Sequence, residues 1–125
     1  MIDVPDAMPE IDRLVHEPAR LAILTVLAAC ERADFLFLER ATGLTRGNLS
    51  VQLSKLEQAG LIEIEKTIER KRTLTTAALL RRGRTMLDDY WRMMELMRTR
   101  AAGTPDARKS VRHRGGFLSP VGQEA

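Results

Sequence analysis

Two pairs of helix-capping and helix-ending residues constrain the fold of this 125-residue chain more than any other feature. Asp34 is suited to cap a helix N-terminus, and Gly43 is suited to end the same helix. Thr45 and Gly60 repeat the pattern, so a second helix is predicted from Thr45 to Ala59. The connection between the two helices has three or four residues and contains a glycine, which is typical of a helix-turn-helix.

The segments on either side of this helix pair predict three further elements. Pro18 suits the first turn of a helix, and the apolar residues after it predict a helix over about 18–30. Alternating apolar and charged residues over 62–65, followed by β-branched residues at 73–76, predict a β-hairpin. Its basic tip has none of the glycine, asparagine, aspartate or proline that tight turns prefer, so we expect a loose, mobile loop there. A long helix is predicted over 80–101.

These elements predict one domain, over residues 11–101, that is mainly α with a small β-hairpin (α+β). Residues 1–10 contain two prolines and lack an apolar period, so a flexible N-terminus is expected. Residues 102–125 also lack an apolar period, and a disordered basic tail is expected there. The tail's arginines and lysine either add phosphate contacts or are simply solvated.

Charge is distributed unevenly along the chain. Residues 1–65 carry 6 Lys+Arg and 11 Asp+Glu, a net charge of −5, whereas residues 66–114 carry 14 and 5, a net charge of +9. A basic second half indicates a polyanionic partner, either nucleic acid or a membrane surface. The aromatic content of only 4% argues against a base-stacking platform for single-stranded nucleic acid.

Several other classes of function lack their sequence signals. No apolar run reaches the roughly 18 residues of a membrane-spanning helix, and the acidic N-terminus is not a signal peptide, so a cytoplasmic protein without a membrane partner is expected. The single cysteine and the two distant histidines argue against a disulfide framework and a metal site. The chain has neither a glycine-rich phosphate loop nor a nucleophile-and-base pattern. We therefore expect no enzyme, metal or cofactor.

The predicted helix over 45–59 has the composition of a DNA-reading helix. Leu49, Leu53 and Leu56 form one buried stripe, and the remaining surface has no acidic residue before Glu57. Hydroxyl and amide side chains there can donate to phosphates or read base edges, and asparagine or glutamine can pair with adenine. The alternative is an ordinary solvated helix face, with Val51 either touching a thymine methyl group or being neutral. The candidate DNA contacts are Thr45, Arg46, Gly47, Asn48, Ser50, Val51, Gln52, Ser54 and Lys55.

The order helix, helix-turn-helix, hairpin, helix resembles that of a family. The stretch from about Leu14 to Trp91 is similar to small winged-helix transcriptional regulators of the MarR/ArsR kind. The similarity rests on the segments HEPARLAILTVL, DFLFLERATGLTRGNLSVQLSKLEQAGLIEIEKT and KRTLTTAALLRRGR. It implies a winged helix-turn-helix with a long C-terminal dimerisation helix, and a homodimer that binds double-stranded operator DNA.

Residues 66–73, called the wing from here on, are basic. A wing lies against the DNA backbone or the minor groove, where arginine gains from the negative potential. The alternative is a solvated hairpin tip. The basic candidates are Lys66, Arg70, Lys71 and Arg72.

The hairpin also departs from the resembled family. Relatives commonly have glycine in the turn, proline after the basic pair, tyrosine on the return strand and threonine capping the last helix. These departures leave a trimmed or shifted return strand open. The residues of this chain at the four positions are Glu69, Thr73, Ala77 and Leu80.

The last predicted helix has more apolar surface than one small domain needs. Its apolar residues recur at alternating steps of four and three, which is the spacing of a coiled-coil seam. A symmetric dimer would place two recognition helices in successive major grooves, about 34 Å apart. Methionine-rich surfaces also adapt to ligands, so a pocket for an unknown small-molecule effector is the alternative. The predicted dimer contacts are Leu87, Tyr90, Trp91, Met94 and Met97.

Taken together, the sequence predicts a homodimeric winged-helix regulator that reads DNA, and the resemblance favours repression over activation. The rival hypothesis is a winged helix used as a protein-interaction module. Val51 on the outward face and the acidic Glu63 and Glu65 nearby support that rival. A salt-dependent affinity separates the two, because each neutralised phosphate steepens the salt dependence of DNA binding.

Overall fold

The computed structural model describes residues 12–103. The predicted flexible N-terminus and nearly all of the predicted tail lie outside these residues, while residues 102 and 103 belong to the last helix. The described part contains four helices and three strands, which confirms the predicted α+β winged helix with a long C-terminal helix. In chain order the elements are α1 (Pro18–Ala28), β1 (Ala33–Asp34), α2 (Phe35–Thr42), α3 (Arg46–Gln58), β2 (Ile62–Glu69), β3 (Arg72–Leu79) and α4 (Arg81–Gly103).

The chain divides into two compact units. The described part of one unit is residues 12–92, which contains α1 to β3 and the first half of α4. The described part of the other unit is residues 93–103, the second half of α4.

The predicted caps form the helix-turn-helix. Asp34 Oδ1 accepts a hydrogen bond from Phe37 N at 2.8 Å, and Gly43 follows α2 with φ at 75°. Thr45 Oγ1 accepts from Asn48 N at 3.1 Å and starts α3. Gly60, with φ at 78°, ends α3 in the left-handed conformation that favours glycine. Capping side chains therefore set the N-terminal ends of both helices, and glycines at positive φ set their C-terminal ends.

A three-stranded antiparallel sheet in the order β1–β3–β2 packs beside the helices. Strand β1 was not predicted, because two residues that pair with Ala77 and Thr76 are too short to show an alternating pattern. Strands β2 and β3 pair without interruption from Ile62–Leu79 to Glu69–Arg72. The return strand is neither trimmed nor shifted.

The hairpin tip is a tight two-residue turn, so the expectation of a loose loop is wrong. Arg70 and Lys71 alone separate the strands, and both have positive φ, 51° and 66°. Each left-handed residue that has a side chain costs about 1–2 kcal/mol. The eight cross-strand pairs offset this cost, and a tight turn of this kind matches the twist of the two strands.

The core of the first unit lies between α1, α2, α3 and the root of the hairpin. The predicted leucine stripe of α3 is buried, with Leu49 and Leu56 fully inaccessible to solvent. It packs among apolar side chains from the other elements. The largest of these are Ile23, Leu24 and Leu27 of α1, Leu38 of α2, and Leu61 and Ile62 at the start of the hairpin.

Candidate nucleic-acid interface

Helix α3 presents a continuous exposed surface, called the recognition face from here on. Eight of the nine predicted contacts are exposed, and Val51 is 50% exposed. The first acidic side chain in α3 is Glu57, near its C-terminal end. The face therefore offers two cations, one amide and three hydroxyls, and Glu57 borders it near the C-terminal end of α3. It consists of Thr45, Arg46, Gly47, Asn48, Ser50, Val51, Ser54 and Lys55.

Gly47 leaves the backbone open in the first turn of α3. A Cβ added at this position would meet no atom within 4 Å. Glycine in a helix costs about 1 kcal/mol relative to alanine. Packing among the described residues does not require a glycine there, and its absence of a side chain leaves room for a partner to approach the helix closely.

Gln52 is the exception among the predicted DNA contacts, because the structure buries it instead of exposing it. Its side chain is only 8% exposed, and it is the buried polar residue of the core. Arg20 Nη1 donates to Gln52 Oε1 at 2.9 Å, and Gln52 Nε2 donates to Asn48 Oδ1 at 3.1 Å. Because Gln52 follows Leu49 by three residues, it turns inward with the leucine stripe. It is therefore not available to read a base in this structure.

The four basic residues of the wing are exposed and lack acidic partners. None of them forms an ion pair with any residue in the described range, 12–103. The root of the hairpin is different: Arg32 pairs with Glu63 and lies 3.4 Å from Glu65. The cation at the root of the hairpin is therefore paired, whereas toward the tip four cations that are unpaired within the described range outnumber the single carboxylate of Glu69. The exposed cations are Lys66, Arg70, Lys71 and Arg72.

The recognition face and the wing meet at a cleft of about 350 Å³. Ser50 and Ser54 line it from α3, and Lys66 lines it from β2. Because side chains alternate along a strand, Ile68 lies on the same side of β2 as Lys66 and is 78% exposed. Sequence reasoning missed Ile68, although its position two residues after Lys66 places the two on one side.

A larger cleft of about 970 Å³ lies between α2 and the edge of β3. Arg46, Arg70 and Arg72 line it together with acidic side chains, so its charge is mixed. Within it, Arg46 Nη2 lies 3.9 Å from Glu39 Oε1, an oxygen that is buried and accepts no hydrogen bond in the described part of the chain. Arg46 is thereby held loosely at the start of the recognition face.

Two predicted dimer contacts on α4 belong instead to the core of their own unit. Leu87 and Tyr90 are each 3% exposed, and the Tyr90 hydroxyl shares a hydrogen bond with His16 Nδ1 at 2.7 Å. Their assignment to a partner surface is wrong in this structure, because this side of α4 packs on its own domain. Trp91 is 46% exposed.

The second half of α4 carries the other two predicted dimer contacts. Met94 and Met97 are half-buried within the second unit. Beside them, Arg98 donates to Glu95 at 2.6 Å, and this hydrogen bond lowers the pKa of the Glu95 carboxyl below its ordinary value. The pair remains charged at neutral pH.

Residues 12–103 contain neither a cluster of metal ligands nor a membrane-spanning helix. In this range no three histidine, cysteine, aspartate or glutamate side chains come together where they could hold a metal ion. None of the helices in the same range is long and apolar enough to cross a membrane.

Known proteins share this architecture. Residues 19–97 match the family model of the winged helix DNA-binding domain. An uncharacterised protein of Methanocaldococcus jannaschii is 31% identical over 78 residues, which are 62% of this chain and 85% of that protein. A transcriptional regulator homologue of Pyrococcus horikoshii superposes with a TM-score of 0.59 at 25% identity, covering 73% of this chain and 87% of that one.

A MarR-family transcriptional regulator of Silicibacter pomeroyi shares the fold. It superposes with a TM-score of 0.57 at 24% identity and covers 90% of this chain and 72% of that one. The matched family model spans well over half of the chain, from α1 into α4. The chain therefore belongs to the winged helix DNA-binding domain family, in agreement with the resemblance in its sequence.

Proposed function

We propose that the protein is a sequence-specific, double-stranded DNA-binding transcription regulator. The observation that carries this proposal is the acid-free recognition face of α3 beside a wing whose cations have no acidic partners among residues 12–103. In the proposed complex α3 enters the major groove, and the wing contacts the neighbouring backbone and minor groove. Family membership supports the same function.

The cleft between α3 and the wing suits a phosphate backbone. Ser50 and Ser54 can donate hydroxyl hydrogens from one wall, and Lys66 supplies a positive charge from the other. Glu57 also lines the cleft, so the backbone would lie nearer to Ser50 and Lys66 than to the C-terminal end of α3. Arg46 and Lys55 extend the positive charge toward the two ends of α3. The open space at Gly47 would let the backbone of α3 approach the groove.

The rival proposal, a protein-interaction module, draws little support from the structure. It depended on Glu63 and Glu65 as an exposed acidic surface. Arg32 donates a hydrogen bond to Glu63 and lies 3.4 Å from Glu65, so one cation contacts both carboxylates and offsets one of their two negative charges. Val51 remains an exposed apolar side chain that a thymine methyl group can contact.

We further propose that the regulator represses transcription in the cytoplasm by occupying promoter DNA, and that a small molecule of unknown identity adjusts its affinity. The fold shared with MarR-family regulators supports these finer assignments.

Fluorescence anisotropy tests DNA binding directly. The duplex upstream of this protein's own gene is compared with a scrambled duplex at two salt concentrations. We expect tighter binding to the native duplex and a steep loss of affinity with salt, since phosphate contacts release counterions. Weak binding without preference would point to a different operator or a missing effector. An absence of binding at low salt would contradict the proposal and favour a protein partner.

A homodimer is proposed through one side of α4. Trp91 is exposed and Met94 follows it by three residues, which places both on one side of the helix. Dimerisation would cover this apolar strip and give the two-fold symmetry that a pseudo-palindromic operator requires. Met97 continues the strip by three more residues.

Replacing Met94 with glutamate should convert the dimer to monomers. A carboxylate at the centre of an apolar contact loses several kcal/mol of hydration without a partner to compensate. Multi-angle light scattering measures the mass of each species. The control is Thr85→Glu, an exposed position nine residues earlier and therefore on the opposite side of α4. A Met94→Glu protein that stays dimeric would place the interface elsewhere, and a monomeric native protein would contradict the homodimer.

A further inference from the structure

We propose that Asn48 selects guanine in the major groove, and that Gln52 is the positioning residue that orients the Asn48 amide for this purpose. The inference deepens the proposed function and rests on it, since α3 must enter the groove. It assigns a base preference to one side chain of the recognition face.

Three side chains form a directed series of hydrogen bonds from α1 to the recognition face. Arg20 of α1 has a side chain only 14% exposed, and its Nε donates to the Leu14 carbonyl at 2.7 Å. Its Nη1 donates to Gln52 Oε1 at 2.9 Å, and Gln52 Nε2 then donates to Asn48 Oδ1 at 3.1 Å. The series therefore begins in the interior of the unit and ends at an exposed residue.

The chemistry of the three groups fixes the direction of this series. A guanidinium group has five N–H donors and no acceptor, so the Gln52 atom that faces Arg20 must be its oxygen. The remaining Gln52 amide nitrogen can only donate, so the Asn48 atom that faces it must also be an oxygen. Turning the Gln52 amide over would set donor against donor in a site that is 8% exposed. That arrangement would leave buried polar groups unpaired and costs about 1–3 kcal/mol per group.

This orientation decides what Asn48 offers to a base. With Oδ1 turned toward Gln52, the Nδ2 amide is left to face outward with its two N–H donors. Asparagine that reads adenine must present its oxygen and its nitrogen side by side to the N6 and N7 atoms of the base. Guanine instead presents two neighbouring acceptors, N7 and O6, which match an amide group that presents donors alone. Cytosine presents an amino donor, which would face the donors of the Asn48 amide, so cytosine is rejected.

The test is an in vitro selection of duplexes from a randomised pool by the full-length protein. The native protein should enrich guanine at one position in each half-site. Asn48→Ala should remove that preference, which we expect to amount to about 5- to 150-fold between guanine and the other bases, the range that one good base contact supplies. Preferences at the other positions of the half-site should remain.

Gln52→Glu should change the preference rather than only weaken it. The new carboxylate still accepts from Arg20 but cannot donate to Asn48. The Asn48 amide is then expected to turn over, donate through Nδ2 to the carboxylate, and expose Oδ1. An exposed acceptor favours a base that presents an amino group, so enrichment should move from guanine toward adenine or cytosine. If Gln52 only stabilised the fold, replacing it with glutamate would not change which base is preferred.

The control is Gln58→Glu, which makes the same change of charge at an exposed position of α3 and should keep the guanine preference. Thermal melting verifies that Gln52→Glu is folded, and the exposed Asn48→Ala variant remains informative if it is not. Two results would overturn this inference alone. One is a folded Gln52→Glu protein that still prefers guanine. The other is an Asn48→Ala protein that loses affinity equally for all duplexes. Failure of the folded native protein to enrich any duplex overturns the proposed function, and the inference with it.

Discussion

Replacing Gly83 with alanine should lower the free energy of unfolding by about 3 kcal/mol or more, the upper part of the range for overpacked sites. Gly83 lies in the first turn of α4, where an added Cβ would be 2.2 Å from the Leu61 carbonyl oxygen and 2.7 Å from Leu79 Cδ1. The Leu79 side chain can rotate away, but the Leu61 carbonyl is backbone. That carbonyl also accepts a hydrogen bond from Leu80 N at 2.9 Å, so it cannot move without loosening the junction between β3 and α4.

Urea denaturation followed by circular dichroism measures this loss. The matched control is Gly47→Ala, the same substitution in another helix at a site where the added Cβ meets nothing within 4 Å. Alanine there should raise the free energy of unfolding by up to about 1 kcal/mol, because alanine favours the helix over glycine. The two variants carry the same substitution but should change the free energy of unfolding in opposite directions. The difference between them therefore isolates the contact with the Leu61 carbonyl. A Gly83→Ala protein as stable as the native one would contradict the close approach of α4 to that carbonyl.

Gly83 also illustrates which parts of this fold can be predicted from sequence. The ends of α2 and α3 were predictable because Asp34 and Thr45 cap helices through bonds to residues three positions away. Gly83 fits the spacing of a coiled-coil seam, as do Leu87 and Tyr90. Periodicity shows that a side of a helix is apolar, but it does not show whether that side packs on its own domain or on a partner.

The errors at the recognition face and the hairpin have the same origin. Gln52 has the spacing of a helix flank, and its burial depends on Arg20, which is 32 residues away in the chain. The turn at Arg70 and Lys71 lacks the usual turn residues, and it is held by the pairing of two whole strands. In each case contacts outside the residue's own helical turn or tight turn outweigh the local preference. The exposed residues of α3 were predictable because helical periodicity alone separates them from the leucine stripe.

Neutralising two cations of the wing should weaken binding to every duplex by a similar factor of about ten or more, since hydrogen bonds to charged groups contribute about 1.5–3 kcal/mol each. The proposed variant is Lys71→Asn with Arg72→Gln. Lys71 has φ at 66°, and asparagine is among the residues that tolerate positive φ, so the turn is expected to be retained. The change removes charge from two exposed side chains that form no ion pair within residues 12–103.

The slope of affinity against salt concentration distinguishes lost phosphate contacts from a damaged fold. Each phosphate that a protein neutralises adds about one to the slope of log affinity against log salt, so the double variant should lower it by about two. The control is Arg13→Ala with Arg92→Ala, which removes the same charge from exposed residues outside α3 and the wing. If only the net charge of the protein mattered, the salt slope would change equally in the wing variant and in the control. An unchanged slope in the wing variant, with affinity lost, would mean that the wing supports the shape of the site without contacting the backbone.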